Sequence, residues 1–469
     1  MRRTATVGIG AVGAVVLLAA PAAAQDATIE SVQANLDIIF VMICAAFVML
    51  MHPGFALLEA GLGRAKNAAH IIMKNMMTLV LGLVTYYAVG FALMYGTQVG
   101  NFVGTDGFFL QGLASYKPVT GGSVSADFLF QAVFAATAAT IISGACAERM
   151  KFGPYMATVM FITGLIYPIV GAWKWGGGWL FDLGFLDFAG STMVHLTGGV
   201  AALAGAAILG PRLGKYGADG KPRVILGHSI PLAMLGAFLL FFGWFGFNGG
   251  SVLLADGPLV AAVLVNTTLA GAIGGVTSAL FTRVRFGKYD VGMTGNGMLA
   301  GLVGVTAGAD TLDPFGSLAV GVIAGVLVVL VVALVDRKVD DPVGAVAVHG
   351  ACGALGTLWV GLAHTTDGLL YGGGAELLAV QAIGVVAVIA FVGLASSGFF
   401  LLLKATVGIR VTETEEIEGL DLHEHGSYGY PELALGPMSY PAGPRTDQTG
   451  VVGVPAPVVP ARAQPLLQE

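Results

Sequence analysis

The chain has 469 residues, 56% of them hydrophobic and 11% charged, about half the charged share of an ordinary soluble domain. That balance argues against a soluble enzyme, and 71 glycines without a collagen period point instead to close-packed membrane helices. The net charge of −6 identifies no partner, so what the charges report is where they sit.

Residues 1–24 carry Arg2 and Arg3, an apolar run from Val7 to Ala20, then Pro21 and three alanines. This reads as a secretory signal peptide cleaved before Gln25, with a short first membrane helix as the alternative. Apolar runs of about 20 residues, enough to cross a bilayer, follow at 36–60, 74–96, 128–147, 154–173, 191–209, 226–250, 259–281, 291–309, 317–335, 343–362 and 376–403. The expected fold is therefore an all-α polytopic membrane protein with eleven transmembrane helices. Lys and Arg concentrate on the cytoplasmic side of membrane proteins. Counting from an outside N-terminus, every basic residue falls inside except Arg2 and Arg3 of the leader and Lys117 and Lys174. The predicted topology is N-terminus out and C-terminus in.

The expected organisation is a transport domain over 25–404, a cytoplasmic C-terminal segment over 405–430 and a Pro-rich disordered tail over 431–469. The 405–430 segment is acidic, with Val411, Ile417, Leu420 and Leu422 set among Glu413, Glu415, Glu416 and Glu418. It folds onto the basic inner loops or remains a solvated tail; composition does not choose. The tail holds too little apolar sequence to bury a core. Cys44, Cys146 and Cys352 all lie inside apolar runs, which predicts free thiols rather than a disulfide framework.

Two distant segments repeat. Asp187, Gly190, Val194, His195 and Gly199 recur as Asp341, Gly344, Val348, His349 and Gly353, both reading D-x2-G-x3-V-H-x3-G at the start of the fifth and tenth spans. Five spans per unit make the second enter from the opposite face, an inverted repeat of five plus five helices with an extra C-terminal helix. Each His lies eight residues past its Asp, about 12 Å of α-helix, so the two imidazoles can meet near the bilayer centre. An ionisable side chain at that depth is a functional residue by default. The Gly four residues past each His leaves room for a close partner helix. Asp341 is expected to do no more than cap its helix. His349 and Cys352 share a helical face, yet two imidazoles and a thiol without a carboxylate are a poor metal set, so no metal or cofactor is expected.

The segments DFAGSTMVH, AVHGACGALG, GWFGFNGGS and GACAERMKF resemble the signatures of the ammonium transporter family, in its bacterial and plant branch, over about residues 34–430. The resemblance implies an eleven-helix subunit with one pore, assembled as a homotrimer in the bacterial inner membrane. It matches His195 and His349 to the twin pore histidines and Asp187 to the carboxylate beneath the outer vestibule. Phe134 and Phe247 match the stacked gate rings, and Trp175 and Ser251 the outer cation site. Taken singly, these aromatic residues would read as lipid-facing, core or interfacial side chains. His52 and Glu59, in MHPGFALLEAG, depart from bacterial forms with neutral residues there and look closer to plant-type members. The implied function is uptake of ammonium nitrogen, with ammonia passing a hydrophobic twin-His pore; an ammonium sensor or a Rhesus-like gas channel are the alternatives. The implied partners are ammonium or ammonia, the lipid bilayer and a trimeric PII-type signalling protein at the cytoplasmic face; no nucleic acid is expected.

Overall fold

The computed structural model describes residues 28–431; the leader over 1–24 and all of the tail past Pro431 lie outside the described residues. Among these, ten helices are long and apolar enough to cross a membrane: α1 (Ile29–Leu62), α2 (Ala65–Tyr95), α3 (Val124–Ala145), α4 (Phe152–Asp182), α5 (Ser191–Leu209), α6 (Ile230–Gly250), α7 (Gly257–Phe286), α9 (Pro314–Val335), α10 (Val346–Ala363) and α11 (Glu376–Thr406). A shorter apolar helix, α8 (Val291–Val305), lies between α7 and α9. Large apolar side chains such as Phe238, Val276, Leu330 and Leu394 stay exposed. On a bundle of such helices they make a surface suited to lipid.

Local chemistry sets where these helices start, break and stop. Ser229, Asp256, Asp290 and Asp313 each accept a hydrogen bond from the backbone N–H three residues on, and Pro follows in the first turn of α6, α7 and α9, where its missing N–H costs nothing. Pro53 has no N–H to give Met49, and the ladder of α1 is interrupted at Leu50. Gly287, at φ 79°, ends α7 behind Arg283 and Arg285. Glycines let the helices close up: a Cβ at Gly61 would lie 2.5 Å from the Ala233 nitrogen, and one at Gly325 would lie 2.5 Å from the Gly274 carbonyl.

The two largest departures from the expected boundaries, nine residues each, are the end of α4 at Asp182 rather than 173 and the start of α2 at Ala65 rather than 74. Polarity at Lys66, Asn67, His70 and Lys74 reads as a basic loop only if those groups are solvated, and here Asn67, His70 and Lys74 are buried, as is Asn75. Lys74 Nζ donates to the Ser143 carbonyl (2.8 Å) and stands over the Tyr155 ring at 4.9 Å; Asn75 bonds Glu59, Thr140 and its own helix. Lys74 is thus a helix residue, not part of a basic loop.

The basic loops make a buried ionic frame. Arg212 donates to both Asp340 carboxylate oxygens (2.9 Å each) and approaches Glu148 at 3.3 Å, while Arg64 pairs with the other oxygen of Glu148. Arg149, fully buried, donates to the carbonyls of Ala147, Gly210 and Asp340. The segment after α11 docks beside this frame through α12 (Glu413–Glu418) and α13 (Leu420–His425). Glu416 accepts from the Leu213 amide (2.6 Å) and from Arg410 (2.6 Å). Asp421 accepts from the Ala69 and His70 amides (3.1 and 2.8 Å), and Lys66 donates to the Glu416 and Ile417 carbonyls. Of its apolar residues, Val411 and Leu420 are buried, but Ile417 is 60% exposed and Leu422 37% exposed. Two buried carboxylates accepting from backbone amides hold the segment together with the Val411 and Leu420 side chains.

Burial alone would push the Asp340 carboxyl up, but hydrogen bonds from Arg212 and the charges of Arg149 and Arg212 hold it at about 2. A carboxyl held low contributes stability that is complete above its unfolded value, about 3.9, and is lost as the pH falls toward 2. Asp340→Asn, which leaves the Arg212 guanidinium buried and under-paired, is predicted to lower unfolding stability in detergent by about 3 kcal/mol at neutral pH. The deficit should shrink in acid. A pH-independent change below about 1 kcal/mol would place this pair among weak surface bridges.

Candidate functional site

The two repeated motifs build the same local structure. Gly190 and Gly344 take φ values of 114° and 79°, conformations that a side chain disfavours, and turn the chain so that successive amides converge on the preceding Asp. Asp187 accepts from the amides of Gly190, Ser191, Thr192 and Met193 at 2.8–2.9 Å. Asp341 likewise accepts from Val343, Gly344 and Val346 at 3.3, 3.1 and 2.8 Å. Both carboxylates therefore cap helix starts. Past each cap comes a π-helical turn, Ser191–Leu196 and Val346–Ala351, with the His inside it. The spacing predicts ordinary α-helix here. A π turn is wider, occurs often at functional sites, and in both helices ends just after the His.

The helices α5 and α10 then cross in opposite directions. Gly199 lies against Gly350, Leu196 against Gly353, and the Thr192 and Thr357 hydroxyls hydrogen-bond at 2.6 Å, so numbers rise along one helix as they fall along the other. A Cβ at Gly199 would collide with the Gly350 backbone, and one at Gly353 would lie 2.5 Å from the Ser191 carbonyl. This close approach brings His195 and His349 together, both buried, with Nδ1 atoms 3.2 Å apart and ring planes inclined by 21°. At that separation one Nδ1 carries a proton and the other accepts it.

Aromatic rings extend the line on both sides. His195 stacks on Phe247 (5.4 Å between ring centres) and on Trp244 (5.2 Å), whose indole N–H is fixed by Thr306 (2.9 Å). Phe247 stacks on Phe134 at 3.9 Å and 18°, and Phe134 meets Trp175 edge-on at 6.5 Å. On the other side Phe55 packs on His349 at 5.9 Å. The stacked Phe pair leaves no gap between the rings at this separation.

Beyond the Phe pair is a cavity of about 940 Å³ whose lining includes Trp175, Ser251, Phe134, Phe188, Tyr95 and Lys174. The Trp175 indole N–H donates to the Asp187 carbonyl (3.0 Å), which fixes the ring. The Ser251 hydroxyl gives its proton to the Phe247 carbonyl (2.8 Å), leaving its oxygen lone pairs for another donor. An aromatic face plus an acceptor oxygen suits a small cation with N–H groups. The Asp187 carboxylate is not part of this wall: it is 2% exposed, saturated by four amides, and reaches the cavity only through its carbonyl and Trp175. On the far side of His349 lies a second cavity of about 20 Å³, lined by Phe55, Glu59, Asn296, Val343 and His349 among others. That is room for about one water.

The structure thus brings Trp175, Ser251, Phe134, Phe247, His195 and His349 into one line, with Asp187 behind it. Sequence reasoning passed over Trp244 and Phe55. Trp244 had a signal, since it lies three residues before Phe247 on the same helical face; Phe55 had none, because its helix touches α10 only through the fold.

The sequence profile of the Ammonium Transporter Family matches residues 39–430. The chain is 43% identical over 448 residues to the ammonium transporter Amt2 of Archaeoglobus fulgidus, covering 89% of this chain and 94% of that one. It is 36% identical to ammonium transporter 1 member 3 of Solanum lycopersicum, covering 85% and 94%. Among solved structures it matches one described as a sensor Amt protein at TM-score 0.81 and 40% identity, covering 84% of this chain and all of that one. Candida albicans Mep2 matches at TM-score 0.76 and 30% identity, covering 81% and 87%. With these relatives and a bundle of membrane-length helices, the chain is a multi-pass membrane protein that belongs to the ammonium transporter family.

Proposed function

We propose that the protein carries ammonium nitrogen into the cell by binding ammonium at Trp175 and Ser251, removing its proton, and passing ammonia between Phe134 and Phe247 and along His195 and His349. The observation that carries this reading is the unbroken line from the large cavity through the Phe pair to two imidazoles 3.2 Å apart. Taking a bare cation through that apolar passage would cost up to tens of kcal/mol. Deprotonating an amine of pKa about 10 at pH 7 costs roughly 4 kcal/mol. Deprotonation wins, and potassium, with no proton to lose, is excluded by the same route. The facing imidazoles offer ammonia a donor and an acceptor and exchange those roles by switching tautomer.

The wider assembly follows from the same reading. Counting α8 as a span gives eleven helices, with the basic loops and the docked α12–α13 segment inside the cell. The antiparallel crossing of α5 and α10 and their matching Asp caps support an inverted repeat of five plus five. A homotrimer in the plasma membrane with a PII-type protein seated on the basic face is part of the proposal. A second reading, an ammonium sensor using the same pore, is favoured by the likeness to the structure described as a sensor Amt protein. Proteoliposomes holding the purified protein separate the two: a transporter gives ammonium-dependent current or internal pH change, and a pure sensor gives neither.

Replacing both His195 and His349 by Ala is predicted to abolish ammonium-dependent transport or convert it to leaky cation conduction. Unchanged transport with unchanged potassium exclusion would end the proton-handling assignment. Trp175→Leu is predicted to weaken ammonium recognition by at most about 2 kcal/mol, roughly thirtyfold in apparent affinity, with the fold unaltered; identical saturation curves would leave Trp175 an interfacial anchor. Truncation after Tyr430 should leave flux intact, whereas truncation after Gly408 removes the Glu416 and Asp421 caps and lowers it. Equal flux in both truncations would make the docked segment dispensable.

A further inference from the structure

The small cavity beyond His349 has a second ionisable wall. Glu59 lies 2% exposed on α1, three residues from the last residue of that helix, or about 4.5 Å along its axis. One carboxylate oxygen, Oε2, accepts from Ser143 (2.6 Å) and Asn75 (3.1 Å); among the described residues no donor meets Oε1. Asn75 is itself oriented by the Thr140 hydroxyl at 2.7 Å, and the Ser143 carbonyl takes the Lys74 ammonium at 2.8 Å. The carboxylate is thus held through one oxygen and free at the other, and Glu59 lines with His349 a cavity sized for about one water. Asn75, Ser143 and Lys74 alone would suffice to anchor a scaffold carboxylate, but scaffold groups rarely leave an oxygen facing a water-sized cavity beside a pore imidazole. The other ionisable groups around it are Lys74 on α2, Cys146 after α3, Tyr155 on α4, Asp341 before α10 and His349 on α10.

Resting on the ammonia-pore reading above, we infer that Glu59 is the acceptor for the proton that ammonium leaves behind, reached from His349 through a single water in this cavity, so that one proton accompanies each ammonia. The transfer balances. An ammonium N–H bond breaks and its proton bonds His195 Nε2, a buried atom with no other partner among the described residues. The Nδ1 proton of His195 passes to His349 Nδ1 across 3.2 Å, the Nε2 proton of His349 passes to the water, and a water proton bonds Glu59 Oε1. Ammonium becomes ammonia, the carboxylate becomes a carboxylic acid, both imidazoles end in the opposite tautomer, and the water is regenerated. Release of the Glu59 proton at the nearby helix end resets the acid, and the tautomers reset as the passing ammonia takes the His195 Nε2 proton and gives one of its own to His349 Nε2 while the Nδ1 proton returns from His349 to His195.

The test compares ammonium-evoked current with stopped-flow internal alkalinisation in proteoliposomes holding equal amounts of each variant. Glu59→Gln keeps the shape and still accepts from Ser143 and Asn75. Its current should fall about tenfold or more while alkalinisation persists or grows, because ammonia then enters without a proton. Current equal to that of the unaltered protein overturns the inference and leaves Glu59 a scaffold residue. If the unaltered protein alkalinises the interior but carries no current, the inference fails and the ammonia-pore reading stands; if it does neither, that reading fails as well. Should Glu59→Gln not reach the membrane, Glu59→Asp decides: a withdrawn carboxylate lowers the ratio of current to ammonia flux, whereas a scaffold role moves both together and overturns the inference.

Discussion

Much of this structure serves one contact, the crossing of α5 and α10 at Gly199 and Gly350. The imidazoles stand 3.2 Å apart in a buried interior where the two backbones nearly touch, and only glycine at the crossing permits that approach. The Asp caps, the left-handed turns at Gly190 and Gly344, and the Thr192–Thr357 hydrogen bond all fix the same two helix starts. The aromatic rings of α3, α4 and α6 then stack outward from the His pair. Apolar rings packed around a buried His pair make a bare cation costly there and a neutral molecule cheap.

The repeat also divides labour between two chemically similar carboxylates. Asp187 and Asp341 each give nearly all their acceptor capacity to backbone amides, so neither has a free face for a ligand. Asp187 acts on the large cavity indirectly, through the carbonyl that fixes Trp175. The second ionic feature, the frame of Arg64, Glu148, Arg149, Arg212 and Asp340, lies at the end of the bundle where the chain after α11 docks. Beside it, the amides of Leu213, Ala69 and His70 and the Lys66 ammonium give that segment partners that a solvated tail would lack.

The apolar runs, the D-x2-G-x3-V-H-x3-G repeat and the signatures around Phe247 made most of the membrane-length helices and the residues of the candidate site legible, because long apolar helices and histidines set within them leave strong marks on the sequence. What stayed hidden depended on pairing across the fold. Lys74 reads as a loop cation until Ser143 and Tyr155 are seen beside it, and Ile417 reads as an anchor until Glu416 and Asp421 are found capping amides instead. The π turns at Ser191–Leu196 and Val346–Ala351 have the same hydrophobic pattern as α-helix and leave no separate trace. Phe55 and Glu59 line the small cavity beside His349 on a helix that Gly54 and Gly61 let close on α6.

The central claim is that the cation must lose a proton to pass. It is tested most directly by comparing ammonium with rubidium, an ion of similar size that has no proton to release, as the permeant in the same proteoliposomes. The account predicts saturable ammonium-dependent flux and no rubidium entry above protein-free vesicles; rubidium flux comparable to that of ammonium would contradict it.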